Sequence, residues 1–346
     1  METKYLYLYG ITHNDYPPEQ FLELKGMGLE VVQYEKIFAI AAEKPYENLM
    51  HASKEILAGI LVGHQKILER LMETGFSMLI PVKLGTWSKS KTEVREILKK
   101  GYPLCLDILE KVCNRIEVDL AVTWSNFSGL IQTVAADPEV SVFKDGLLGK
   151  ANGISTADQL QIGKLVREKL DEKARDARQQ IVKQLEPWCE ELKRHEVMND
   201  QMVANVAFLI SKSKLASFEE ALDQMDMEFK GALNFKYVGP LPCYSFYTLE
   251  VVELNFEQIE QARNALGVQE RASAREIRQA YLAKVKSFHP DVNFGNGEEA
   301  YFESLTKAYH VINDYLQTVR QSSDEDLFYF TEEQVTENSF LVKIRE

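Results

Sequence analysis

Apolar positions along this chain change period in a regular way, and the changes predict where strands give way to helices. Residues 4–11 are aromatic and aliphatic, with Tyr5, Tyr7 and Tyr9 on one face, as in a strand. Pro17 and Pro18 open a short helix that ends near Gly26 and Gly28. Residues 29–34 and 37–42 predict two further strands. Residues 46–74 predict one long amphipathic helix, with Ile56, Leu57, Ile60, Leu61, Leu68 and Leu71 on its apolar face. Gly75 ends it, and residues 78–82 return as a strand. The order strand, helix, strand, strand, helix, strand predicts a ferredoxin-like α+β sandwich.

A second α+β unit of the same kind follows. Residues 93–113 predict a helix that bridges the two, and residues 116–124 alternate as a strand. A long charged helix is predicted over 158–191, kinked or ended by Pro187. Residues 203–210 predict a strand, 218–229 a helix and 234–238 a strand. After a rigid turn built from Gly239, Pro240 and Pro242, residues 244–252 alternate again as a strand. Residues 137–156 carry glycines and little periodicity, which predicts a loop or insert.

The period then becomes purely helical. Ile277, Ala280, Tyr281 and Val285 recur over residues 273–288, and Phe302, Leu305, Ala308, Tyr309 and Ile312 recur after residue 298. His289, Pro290 and Asp291 stand between these helices, and Pro290 cannot continue the first. They therefore belong on a polar loop tip between two helices, a good position for a contact. Arg271, Arg275, Arg278, Lys284 and Lys286 precede that loop against one acid, Glu276, so the first helix is basic and suited to an acidic partner surface. Residues 322–326 are acidic and linker-like. Residues 339–344 read equally as a strand added to a sheet edge and as a frayed terminus. The linear division is then an α+β domain at 1–115, a second at 116–254, a small all-α hairpin at 255–320 and a tail at 321–346.

Composition narrows the function classes. A length of 346 residues holds two or three domains, and 45% hydrophobic with 27% charged residues fits a soluble globular chain. A net charge of −13 argues against nucleic-acid binding. No apolar run reaches membrane-spanning length, and the first residues lack a signal-peptide pattern. Cys105, Cys113, Cys189 and Cys243 form no paired motif, which suits a reducing cytoplasm. Metal-binding, phosphate-loop and serine-elbow motifs are absent, and His64 falls on an apolar helix face as a core histidine would. The expectation is a protein that is not an enzyme and needs no cofactor or metal.

Two stretches resemble known families. The run from Ala274 through Tyr281 to Phe288-His-Pro-Asp-Val-Asn293, followed by residues 301–314, resembles the J-domain (DnaJ-like) family of Hsp70 co-chaperones, with residues 264–268 matching its lead-in. The resemblance covers roughly residues 256–320. It implies that His289, Pro290 and Asp291, with Arg278, Lys284 and Lys286, contact a DnaK-type Hsp70 and stimulate its ATP hydrolysis. One departure stands out: Lys284 occupies a position where that family usually carries an apolar core residue, and a long stem lets its ammonium snorkel to water. The segments Leu79-Ile-Pro-Val-Lys-Leu-Gly-Thr86 and Tyr237-Val-Gly-Pro-Leu-Pro-Cys-Tyr-Ser-Phe246 resemble signatures of the gas vesicle protein family GvpF/GvpL, over about residues 4–253. The motif residues are Pro81, Gly85, Thr86, Gly239, Pro240, Pro242 and Tyr244, all structural in character. This second resemblance implies an accessory or assembly component of gas vesicles that binds the small hydrophobic shell protein, alongside other accessory proteins. The joint expectation is a cytoplasmic assembly factor that recruits Hsp70 at gas vesicles, without nucleic acid or membrane. The competing one is a general J-protein unrelated to gas vesicles, with an α+β client-binding module.

Overall fold

A computed structural model describes residues 4–148, 155–287, 298–322 and 327–345. It divides into two compact units: residues 1–111 together with 247–346, and residues 112–246. The first unit is therefore discontinuous, whereas the sequence pattern suggested a linear division.

The N-terminal part of the first unit comprises β1 (Lys4–His13), α1 (Pro18–Gly26), β2 (Glu30–Tyr34), β3 (Ile37–Pro45), α2 (Lys54–Glu73), β4 (Leu79–Pro81), β5 (Trp87–Ser88) and α3 (Lys91–Val112). The antiparallel sheet has the order β2-β3-β1-β4, with β5 also on β1. Neighbouring strands that skip their sequence order in this way are the ferredoxin-like arrangement expected from the pattern. β1 is central and buried on both faces, Leu6 and Leu8 as fully as Tyr7 and Tyr9. The helix expected from residue 46 starts only at Lys54, because the Ser53 hydroxyl accepts the Ile56 N–H at 3.3 Å and caps it there.

His64 ties α2 to this sheet. The Tyr7 hydroxyl donates to its Nδ1 at 2.9 Å and receives the Gly85 N–H at 3.4 Å. Burial holds the His64 imidazole neutral and lowers its pKa from 6.5 to about 4. It is a core histidine, as its place on the apolar face suggested.

The second unit contains β6 (Arg115–Trp124), α4 (Phe127–Ala135), α5 (Pro138–Leu148), α6 (Thr156–Leu185), β7 (Glu191–Arg194), β8 (Met202–Ser211), α7 (Leu215–Glu228), β9 (Leu233–Leu241) and most of the short α8 (Tyr244–Tyr247). Its sheet order, β7-β8-β6-β9, repeats the ferredoxin-like pattern. Three local expectations change. Part of the expected loop at 137–156 is α5, which Pro138 opens. The expected helix over 158–191 ends at Leu185, and Glu191–Arg194 becomes an edge strand on β8. The expected strand at 244–252 splits into α8 and β10 (Leu249–Glu253), and β10 pairs outside this sheet.

The rest of the first unit is α9 (Phe256–Leu266), β11 (Arg271–Ser273), α10 (Ala274–Ser287), α11 (Glu298–Ser322), β12 (Leu327–Tyr329), α12 (Glu332–Glu337) and β13 (Phe340–Ile344). It is mainly helical, as expected for the small helical hairpin, and the residues expected to form a separate tail pack onto it. β12 pairs with β11 and β13 pairs with β10, so of the two readings of the tail the added strand is the one adopted. Phe328, Phe330, Val335 and Leu341 from this stretch are buried in one core with Ile259, Ile277, Ile312 and Tyr315. The Tyr315 hydroxyl donates to the Tyr329 carbonyl at 2.5 Å. β10 and this stretch join the helices to the N-terminal part of the unit. Lys83 N–H donates to the Leu249 carbonyl at 2.8 Å, Lys83 pairs with Glu250, and Lys100 Nζ donates to Asn338 Oδ1 at 2.9 Å.

Phe328→Ala should destabilise the helical part by about 3–5 kcal/mol, the usual cost of truncating a buried aromatic. Urea unfolding checks this, and an unchanged midpoint would remove residues 327–345 from the core. His64 contributes stability that is present above pH 6.5 and lost as the pH falls towards 4, because the unfolded histidine takes up a proton first. The loss over that window should be about 3 kcal/mol. The wild-type chain should show it and His64→Gln should not; parallel pH profiles would count against it.

Candidate functional site

α10 is built to present one open basic face. Ser273 Oγ accepts the Glu276 N–H at 3.3 Å, and the Glu276 carboxylate accepts the Ser273 N–H at 2.8 Å, a reciprocal capping box. These hydrogen bonds hold the Glu276 carboxyl below its ordinary pKa and commit the helix's one acid to its own start. Ile277 is fully buried. The Tyr281 ring stacks on Tyr309 of α11 with centroids 4.2 Å apart and planes at 12°. With these residues turned inward, Arg275, Arg278, Leu282 and Lys286 fall on the opposite face at three- and four-residue spacing, all exposed.

Lys284 behaves differently. Its Nζ donates to the Ala265 carbonyl at 2.6 Å and its stem lies against Gly267, which terminates α9 in the left-handed conformation at φ 72°. A cation on the last carbonyls of a helix is favourable there. The ammonium thus does not snorkel to open water, and a position that usually takes an apolar residue is filled by a half-buried lysine that caps a neighbouring helix. Of the residues implied by the J-domain resemblance, Arg278 and Lys286 share the open face and Lys284 leaves it. His289, Pro290 and Asp291 lie outside the described residues, between the end of α10 at Ser287 and the start of α11 at Glu298.

The two other motifs are structural turns. Pro81 stands opposite Gly10 on β1. Gly85 adopts φ 82°, where a Cβ would meet the Leu49 side chain, so the turn needs glycine. Thr86 closes the turn: its hydroxyl donates to the Lys83 carbonyl at 2.7 Å, and its own carbonyl accepts the Leu8 N–H at 3.0 Å.

Gly239 passes so near β6 that a Cβ would come within 2.9 Å of Val118. Pro240 follows it in the cis form. The Pro242 carbonyl then accepts the Tyr244 N–H at 2.7 Å. What holds this turn is a residue the sequence did not single out. The buried Glu117 carboxyl receives the Ser245 N–H and the Ser245 hydroxyl, both at 2.7 Å. Burial pushes the Glu117 pKa up to about 8. The signal was a carboxylate within an apolar strand, in Ile-Glu-Val-Asp-Leu, which on its own resembles solvent-facing alternation.

The Ser245 hydroxyl also lies 3.2 Å from His195 Nε2. Glu117 touches the serine rather than the histidine, so the trio lacks the order acid, histidine, nucleophile of a hydrolytic relay. Among the described residues no group of three or more His, Cys, Asp or Glu side chains could hold a metal ion.

Comparison with known proteins accounts for both parts of the chain. Residues 5–248 match the family model described as gas vesicle synthesis protein GvpL/GvpF, and residues 255–321 match the DnaJ domain. Gas vesicle protein F of Microcystis aeruginosa is 28% identical over 247 residues, which is 70% of this chain and 98% of that protein. The crystal structure of the gas vesicle protein GvpF from Anabaena aligns with a TM-score of 0.60 at 25% identity, over 71% of this chain and 98% of that one. DnaJ homolog 1, mitochondrial, of Saccharomyces cerevisiae is 32% identical over 98 residues, 28% of this chain and 18% of that protein. With 5–248 matched, this chain belongs to the gas vesicle GvpL/GvpF family and carries a DnaJ domain behind the family region.

Proposed function

We propose that this protein binds the small apolar shell protein of gas vesicles through its GvpL/GvpF region and recruits an Hsp70 chaperone to it through the DnaJ domain. The observation that carries the reading is the union of the two modules in one fold. β10 leaves the family region and pairs with β13, which closes the DnaJ helices. A shell subunit with exposed apolar surface aggregates before it assembles, so an accessory protein that binds it gains from a chaperone held close by. The match over 5–248 supports this reading over that of a J-protein unrelated to gas vesicles.

Two surfaces suit the two partners. On α10 the exposed Arg275, Arg278 and Lys286 offer a basic stripe to an acidic chaperone surface. On α2 the first half is apolar yet exposed: Ile56, Leu61 and Val62 are 44%, 51% and 48% accessible, and no charge stands between Glu55 and Lys66. That face suits an apolar segment of the shell protein. The protein acts by binding and recruitment, in the cytoplasm at growing gas vesicles and alongside other accessory proteins, with no catalysis of its own. No helix among the described residues is long and apolar enough to cross a membrane.

Single-turnover ATP hydrolysis by the host Hsp70 tests the chaperone half. The unaltered protein should stimulate it, His289→Gln should abolish the stimulation, and Arg278→Glu with Lys286→Glu should weaken it. Lys284→Leu should keep it, since Lys284 is engaged with α9. No stimulation by the unaltered protein would sink this half. For the other half, Leu61→Asp with Val62→Asp should weaken shell-protein capture by roughly tenfold, about 1.4 kcal/mol. Undiminished capture would move the shell site away from α2.

A further inference from the structure

α6 extends well beyond the part of it that its own fold covers. Its C-terminal end is anchored by the buried Ala177, Ile181, Val182 and Leu185. Upstream, Gly163, Val166, Leu170 and Ala174 recur at three- and four-residue spacing and line an open groove of about 470 Å³. Phe127 and Ile131 of α4 form one wall, and Val197, Asn199, Asp200 and Met202 form the other. A second cavity of about 400 Å³ shares Arg178 and Val197 with the groove and adds Arg194 and His195. Apolar side chains stand in water along the rim: Ile131 and Val197 are 38% and 44% accessible, and Met198, next to Val197 in the chain, is 78% accessible. Contiguous exposure of this kind marks a contact surface.

Charge selects what fits. Arg167, Arg175 and Arg178 lie on the groove side of α6, and Arg194 stands at its end. Asp171 and Asp200 also line the groove, and among the described residues each forms an ion pair with Arg167 alone, at 4.0 Å. Glu196 lines the second cavity. Among the described residues Arg175, Arg178 and Arg194 carry no ion pair; Arg178 Nε is fixed by the Val203 carbonyl at 2.7 Å, which steadies the guanidinium. Guanidinium groups left unpaired beside an apolar groove, in a chain of net charge −13, call for carboxylates from outside. From residue 163 to 178 the groove runs about 22 Å along the helix axis, the length of a four-turn helix. Its ridge of side chains at helical spacing is one against which a second helix packs.

We propose that this groove docks an amphipathic, acidic helix of a partner protein, its apolar face on Val166, Leu170 and Val197 and its carboxylates on Arg175, Arg178 and Arg194. The site lies wholly in the second unit and is separate from α10 and α2, so it gives the protein a third contact.

Fluorescence anisotropy with the full chain tests it. The probe is a labelled helical peptide of about 16 residues, four turns, with leucines along one face and glutamates along its edge; the control carries lysine in place of every glutamate. The glutamate peptide should bind at least roughly tenfold more tightly than the control. Arg175→Glu with Arg194→Glu should remove that preference, and Val197→Asp with Met198→Asp should weaken the glutamate peptide itself. All four residues are exposed, and circular dichroism checks that the variants keep their fold. Equal binding of the two peptides, no binding of either, or binding indifferent to both variant pairs would overturn the proposal. So would anionic phospholipid vesicles that bind with the same dependence on Arg175 and Arg194 while the glutamate peptide does not.

Discussion

The pairing of β10 with β13 is the constraint on which the first unit depends. β10 is hooked to the N-terminal sheet by the Lys83 N–H on the Leu249 carbonyl and by the Lys83–Glu250 ion pair. β13 brings with it the chain that buries Phe328, Phe330 and Val335 against α9 and α11. Each half depends on the other. Without β13 the DnaJ helices lose part of their core, and without β10 they lose the Lys83 contacts and the Lys89–Glu253 ion pair that tie them to the N-terminal part. An exposed ion pair such as Lys89–Glu253 contributes little by itself, so the backbone ladder and the apolar core carry the attachment.

Such attachment changes what a DnaJ domain contributes. A domain on a flexible linker searches a volume set by the linker's length. Here Leu254 N–H donates to the Ser339 carbonyl at 2.7 Å, directly before α9 begins, so little free chain separates sheet from helices. The basic face of α10 and the helix α2 thereby belong to one compact unit. Lys284 belongs to the same economy of contacts. By capping α9 it ties α10 to α9 with a hydrogen bond.

Much of this was legible in the sequence because it rests on local periodicity. The helical spacing of Ile277, Ala280 and Tyr281, and the strand-helix order of residues 4–82, are set by neighbours within a few positions. What escaped depends on distant partners. Glu191–Arg194 looks like the end of a charged helix until β8 offers it an edge. Residues 244–252 alternate like one strand, yet Glu117, 128 positions away from Ser245, holds the first part as a helical turn. Phe340–Ile344 is a strand only because β10 is left unpaired on one side. For the candidate site, the basic stripe was visible as composition, whereas the turning away of Lys284 required the position of Ala265. The groove on α6 was hidden for the same reason, since the pattern showed a charged helix but not which side of it α4 and the loop before β8 would leave open.

The order of synthesis gives the closing strand a further meaning. Domains form as the chain emerges, N-terminal parts first. The sheet of β1 to β5 is made early, but the helices that follow stay incompletely packed until Phe328, Phe330 and β13 have been translated. A nascent chain therefore displays its family region before it displays a finished α10 face. The position of one strand thus sets a sequence in time: the helix that carries the basic face is fully packed only after β13 has been made.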